Sequence, residues 1–345
     1  MKKRGKKLFR FESVWLKDPQ CEEVVLEVWE EGLATHSNFP LNSCLEKCRL
    51  KLDAWNKNEF EHVGKKINEL PKHLEWLELQ PASPSIIQDI KNTRLGLNCW
   101  HEKEDKMWYQ RSHINWNHAW DRNTRFFHAK ASALQKKNHI EGLMDSSGRW
   151  HEDEDKMGDL VVEYYKELFS TNHPTEFTEL IQAIQPKVTP TMNRMLAMEF
   201  NANEVKMAVK QMYPLKALGP DGMPPLFYQH FWPNIGEVVT KTILDFVNNG
   251  VYPPNFNETH IVLIPKIKEP KGVMDYGPIS LCNVVFRITS KVIANRLKKI
   301  LSYIISDTQS AFVHGRLITD NVLVAFESMH HIHLKKGGKK GGNGS

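Results

Sequence analysis

Lys266 closes the apolar run Ile261-Val262-Leu263-Ile264-Pro265. A lysine held at the end of a rigid strand is a fixed point charge suited to phosphate. Upstream, Lys216 leads through Ala217 and Leu218 into Gly219-Pro220-Asp221-Gly222. Two glycines around Pro-Asp make a tight turn whose backbone can approach a ligand closely. Downstream, Arg287, Lys291 and Arg296 recur at i, i+4 and i+9, which spreads positive charge over an arc of a helix. A solvated helical face has the same composition. Gly315-Arg316 precede Thr319-Asp320-Asn321, where Asp320 or Asn321 suits a helix cap before it suits a ligand. The chemistry these residues share is recognition of phosphate.

Other chemistries find no matching pattern. His101-Glu102 and His151-Glu152 do not continue as His-Glu-x-x-His, and neither a Gly-x-Ser-x-Gly elbow nor a Walker-type loop occurs. Asp153-Glu154-Asp155 suits a helix start through the helix dipole, and His330, His331 and His333 suit a helix end. Cys44 and Cys48 could share a helix face, but no second pair follows at zinc spacing, so the five cysteines read as reduced thiols. No metal ligands and no catalytic residues are expected in this chain.

The elements that must position the phosphate-facing residues are mostly helical. Hydrophobic residues at 41% and charged residues at 25% of 345 are ordinary for a soluble domain. The predicted class is α+β, predominantly helical. Residues 1–120 read as a helical, coiled-coil-like region, with a near-3.5 apolar repeat from Leu45 to Leu77 that Pro71 should kink. A second helix is predicted from near Ser85 past Tyr109. Residues 121–200 hold a basic-aromatic segment, a β-hairpin around Asp145-Ser146-Ser147-Gly148, a helix and a Pro-rich linker. Residues 201–334 combine helices with the strand His260–Pro265, a loop to Gly277, and long helices over Val284–Ile304 and Asn321–His333. The Lys/Gly tail, 335–345, is expected to be disordered.

The net charge of +5 is concentrated: ten Lys and Arg face three acids between Arg287 and Lys340. Such a region suits a polyanion. Lys2, Lys3, Arg4, Lys6 and Lys7 have the composition of a nuclear import signal or a solvated tail. With neither a signal peptide nor an apolar run of membrane-spanning length, an intracellular location, nuclear or cytoplasmic, is expected, with no membrane partner.

Taken in order, Lys216 to Gly222, Ile261 to Lys266, Gly277-Pro278-Ile279-Ser280-Leu281-Cys282-Asn283 and Gln309 to Arg316 resemble the fingers and early palm of reverse transcriptases of the non-LTR (LINE) retrotransposon type, especially those of plant genomes. The resemblance covers Asn201 to His333. It extends upstream through Asp121-Arg122-Asn123-Thr124-Arg125-Phe126-Phe127-His128 and Phe9-Arg10-Phe11-Glu12.

This resemblance implies a partial right-hand polymerase fold and RNA or DNA as partner, either template or primer. Lys266 would face the incoming nucleotide. Gly219 to Gly222 would contact the template, with Lys216, Arg287, Lys291, Arg296, Gly315 and Arg316 as further nucleic-acid contacts. It also implies that Mg²⁺ serves the intact enzyme alone, because the palm aspartates that hold it would lie beyond Ser345. The chain is expected to be inactive by itself, and to expose apolar faces around Val284–Ile304 where a palm sheet is missing. A non-catalytic nucleic-acid-binding module, or a remnant without a maintained role, are the alternatives. Gly277 departs from the family, which has an arginine there that helps bind the triphosphate; glycine offers no donor fork.

Overall fold

The computed structural model describes residues 8–35, 37–60, 63–112, 124–171, 177–183, 185–310, 313 and 315–337. The basic start, Asp121 to Asn123 of the upstream motif, Ala311, Phe312 and His314 of the fourth run, and the tail from residue 338 lie outside the described residues.

The chain begins with two helical hairpins. In the first, α1 (Pro19–Leu33) starts on Asp18, whose carboxylate accepts from the Gln20 amide, with Pro19 at the first helical position. It buries Cys21, Val25, Val28 and Trp29 at helical spacing against Leu41, Cys44, Cys48 and Leu52 of α2 (Pro40–Trp55). Burial pushes the Cys21 and Cys48 thiols up to about 12, so these cysteines behave as core hydrophobes. The second hairpin pairs α3 (Val63–Glu78) with α4 (Pro84–Ser112), and α5 (Thr124–Lys137) lies on α4 through Trp108 with His128 and Tyr109 with Phe127. The break expected at Pro71 falls earlier, at a π-helical turn over Asn56–Phe60, while Pro71 sits inside α3. There the proline removes a single backbone donor, whereas a π-turn rotates the whole following helix face.

A small hairpin follows, β1 (Leu143–Met144) with β2 (Trp150–His151), and then α6 (Glu154–Leu168), whose Asp153 side chain caps the Lys156 amide. The short helices α7 (Thr178–Ala183) and α8 (Pro190–Ala197) lead to α9 (Ala202–Lys210), which opens on a capping box between Asn201 and Glu204. Next come α10 (Pro225–His230) and α11 (Trp232–Asn249). A seven-residue antiparallel hairpin joins β3 (Thr259–Pro265) to β4 (Tyr276–Cys282), in the register Val262 to Ile279 and Ile264 to Gly277. The long helices α12 (Val284–Ile304) and α13 (Ile318–Gly337) complete the described chain.

The structure is thus mostly helical with two small antiparallel sheets among the described residues, compatible with the expected α+β class. Strand β4 was not foreseen: the loop expected from the sequence ends at Gly277 and no strand is assigned to residues 278–282, while a two-stranded sheet tolerates proline since every strand is an edge. Helix α13 runs to Gly337, three residues into the segment expected to be disordered.

One hydrophobic cluster unites Phe11, Trp15, Val28 and Leu41 with Val205, Phe227, Ile235, Val284 and Ile288. The first hairpin thus packs on α11 and its neighbours, so this cluster draws on segments from both ends of the described chain. A second cluster, Leu143, Tyr165, Val273 and Tyr276, fastens the small hairpin and α6 to the far end of β3–β4, where the Met144 amide donates to Lys271 O at 2.8 Å. Helix α12 buries Val284, Val285, Ile288, Val292 and Ile300, while Ile293, Leu297 and Tyr303 stay exposed, so the expected exposure of its apolar residues holds only for part of the helix. Further exposed apolar surface lies on α13, at Val322, Leu323, Phe326, Met329, Ile332 and Leu334.

Candidate nucleic-acid interface

The Gly-Pro-Asp-Gly turn lies inside a three-way junction. A Cβ on Gly219 would come within 2.6 Å of the backbone of Cys282 and Asn283, so only glycine lets the turn meet the end of β4. The Asp221 amide donates to Asn283 Oδ1 at 3.0 Å, and the Met223 amide donates to Asp221 Oδ1 at 3.1 Å. Gly222 has φ +70°, and a Cβ there would meet Phe9 O at 2.4 Å. Its carbonyl accepts from the Phe11 amide at 3.0 Å. The amino-terminal strap around Phe9, Phe11 and Glu12 thus lies directly on the turn.

Helix α4 holds this strap from its other side. Gln110 Nε2 donates to Phe11 O at 2.9 Å and its Oε1 accepts from the Ser13 amide at 2.8 Å. Arg111 Nη2 donates to Glu12 Oε1 at 2.9 Å. Phe11 itself makes edge contacts with Trp15 and Phe227 at 5.2 and 5.4 Å.

Within the junction, Asp221 Oδ2, Tyr228 Oη, and Arg287 Nε and Nη2 are buried together, with the Asp221 and Tyr228 side chains interacting with each other. Burial pushes Asp221 up to about 6, against the pull of the Met223 amide and of Arg287. Burial draws the Arg287 guanidinium down while Asp221 holds it up. Arg287 therefore faces the junction, and Pro220 sits half-buried at the turn.

Lys266 stands at the end of β3, exposed, with Nζ donating to Met274 O at 3.2 Å. It faces Gly277 across the hairpin: a Cβ on Gly277 would lie 3.5 Å from Lys266 Cε, an ordinary contact. Pairing places Ile264, Gly277, Val262 and Ile279 on one face of the sheet, while Leu263 and Tyr276 turn to the second core. A half-exposed apolar shelf with a lysine at its rim results, and a larger residue at 277 is sterically allowed beside that lysine.

The arginines are engaged elsewhere. Arg296 is buried, donating from Nε and Nη2 to the Glu204 carboxylate at 3.1 and 2.7 Å and to Leu196, Met198 and Glu199 carbonyls, with its plane 3.5 Å over Phe200. Arg316, beside Gly315 at φ +81°, donates to the carbonyls of Ser306 and Gln309 and to Asp307 Oδ1, tying one loop together. Asp320 accepts from the Leu317 amide at 3.1 Å, acting at the start of α13 as a cap.

The lysines lie open. A groove of about 750 Å³ runs between α9 and α12, lined by Asn203, Gln211, Lys291, Asn295, Lys298 and Lys299. Lys291 is held below its usual range by partial burial, then by the fields of Lys298 and Lys216. Lys298, Lys299 and Asn295 were not singled out in the sequence. Helix geometry carries the signal that would have found them: 291, 295, 298 and 299 share one face. Position 296 falls with 285, 289, 292 and 300 on the buried stripe.

Among the described residues no group of three or more His, Cys, Asp or Glu could hold a metal ion. No helix of the described residues is long and apolar enough to cross a membrane.

No protein-family model matches the chain. The transposon TX1 uncharacterized 149 kDa protein of Xenopus laevis is 25% identical to it over 336 residues, covering 93% of this chain and 25% of that protein. The chain thus spans about a quarter of that relative's length. Along nearly all of its length, the chain is similar to a protein carried by a transposon.

Proposed function

We propose that this chain is the amino-terminal and fingers portion of a reverse transcriptase of the non-LTR retrotransposon type, of the plant-like kind, and that it binds RNA or DNA without polymerising nucleotides by itself. The observation that carries the reading is the meeting of motifs far apart in sequence. The turn at Gly219 to Gly222 joins Cys282 and Asn283 through a close glycine contact and the Asp221–Asn283 hydrogen bond. Lys266 lies across from Gly277, the position where the resembling enzymes carry their triphosphate-binding arginine. The similarity to a transposon protein supports the same ancestry.

In this reading Lys266 meets a nucleotide phosphate at the rim of the β3–β4 shelf, and Lys216 and Lys291 meet the strand. The Gly-Pro-Asp-Gly turn shapes the template side through its backbone. Arg296 and Arg316 hold elements in place.

The test is primer extension on an RNA template with a labelled primer, Mg²⁺ and all four deoxynucleoside triphosphates. No extension is expected, together with binding to the template that weakens as salt rises. Template-directed extension by the purified chain would overturn the inactivity, and absence of nucleic-acid binding would overturn the proposed role. A Gly277→Arg variant should bind deoxynucleoside triphosphate more tightly than the parent, since it adds a donor fork beside Lys266.

A further inference from the structure

We infer that the groove between α9 and α12 is a track for the phosphodiester backbone of a single-stranded nucleic acid, with Tyr213 as a stacking platform at its end. The inference rests on the nucleic-acid reading above and adds a surface distinct from the β3–β4 shelf. Its first support is uncompensated charge. Among the described residues Glu204 is the one acid lining the groove, and its two oxygens are held by Arg296 at 3.1 and 2.7 Å. Lys291, Lys298 and Lys299 share the open face of α12; Lys299 feels the field of Glu204, and three lysines against one arginine-bound carboxylate leave the groove positive. Lys216 extends this field, because it acts on Lys291.

The second support is the kind of group between the charges. Asn203, Gln211 and Asn295 bring amide donors and acceptors into the groove, which suit sugar and phosphate oxygens or base edges. The third is an aromatic ring. Tyr213 follows Gln211 past the end of α9 and is 49% exposed, and its carbonyl accepts from the Lys216 amide at 3.3 Å. Lysines along a concave track with a solvent-facing aromatic ring beside them are the pattern of sequence-tolerant single-strand binding. Reading the sequence of a duplex calls for an element that enters its major groove, and here the protein provides the cleft. An acidic peptide would use the lysines without the exposed face of this ring, whose hydroxyl is hydrogen-bonded to Tyr109 of α4.

The experiment is fluorescence anisotropy with a labelled oligouridylate, titrated over a range of salt concentrations. It compares the parent chain, Lys298→Ala/Lys299→Ala, the same pair with Lys291→Ala, Tyr213→Ala and Lys266→Ala. Both lysines of the double variant are exposed, so it tests the groove even where Lys291→Ala perturbs folding. The triple variant should flatten the slope of log affinity against log salt by about 2, from about 0.7 per lysine on single strands, and the double variant by about 1.4. Tyr213→Ala should weaken binding by about fivefold or more with the slope kept. Lys266→Ala should change the slope by no more than about 0.7.

Parent-like slopes in both the double and triple variants, with RNA still bound by the parent, would overturn the groove while leaving the proposed function standing. Displacement of the RNA by polyglutamate as readily as by unlabelled RNA would also overturn it, assigning the groove to an acidic protein. Failure of the parent chain to bind any oligonucleotide would remove both proposals.

Discussion

Helix α12 enters two unlike regions. At its amino-terminal end, Asn283 and Arg287 belong to the junction with the Gly219–Gly222 turn and the strap, where polar atoms are buried and backbone approaches backbone. Two turns further on, Lys291, Asn295, Lys298 and Lys299 line an open, basic groove. The turn and Arg287 in the first region, and Lys291 and Arg296 at the second, were nominated as nucleic-acid contacts on charge and motif. The junction is closed by the chain's own residues, while the groove retains charge that the fold does not use. Positive residues near a motif are thus not equivalent: a guanidinium with several donors is readily absorbed by internal carbonyls and carboxylates, whereas a lysine's long stem carries its charge outward.

If that contrast is correct, changes at the junction side should be read in stability and changes in the groove in binding. The largest effect is expected for Phe11→Ala, which empties a fully buried site between Trp15 and Phe227. It should destabilise the chain by about 4 kcal/mol in urea unfolding. A loss under about 1 kcal/mol would mean the strap is dispensable to the core. Arg296→Ala, beneath the groove, leaves the carbonyls of Leu196, Met198 and Glu199 without this donor and leaves Glu204 only its capping-box donors from Asn201. A cost of about 3 kcal/mol is expected, because breaking one side of a buried pair strands the other. Gly222→Ala should cost about 2 kcal/mol, from the positive φ and the contact with Phe9.

Asp221 sharpens the comparison through pH. Its folded pKa of about 6 lies above the ordinary carboxylate value near 4, so the folded state binds more protons between those pH values. Its contribution is therefore most favourable below about pH 4 and is lost as pH rises toward about 6, at a slope of at most about 1.4 kcal/mol per pH unit. Asp221→Asn should remove this decline. Carboxylates held below their usual range, such as Glu204 and Asp275, act in the opposite direction but equally in both proteins. Coincident stability curves across that window would show that Asp221 is already solvated. The smallest stability effect belongs to Lys298→Ala/Lys299→Ala, within about 0.5 kcal/mol of the parent in unfolding, although the same pair should reduce RNA binding.

Local rules determined much of this protein without tertiary information. Spacing marked α4 and α12, and the acids Asp153 to Asp155 marked the start of α6, since an amphipathic stripe and a helix start are encoded within a few positions. The strand ending at Lys266 and the turn at Asp145 to Gly148 were equally readable. The glycines around Pro-Asp were recognisable as a site of close approach, and a Cβ at either would now meet neighbouring backbone.

What approaches them was decided only by tertiary structure. The turn meets the strap of Phe9 and Phe11 and the end of β4, segments distant in the chain, and no local pattern encodes such a meeting. The same holds for the direction of each charge on α12. Arg296 turns inward because the face of α12 that carries it packs against Glu204 and Phe200, and Lys298 and Lys299 lie on a face that, among the described residues, borders the open groove. Composition set how much positive charge the helix carries, and packing chose which part of it remains free for a polyanion.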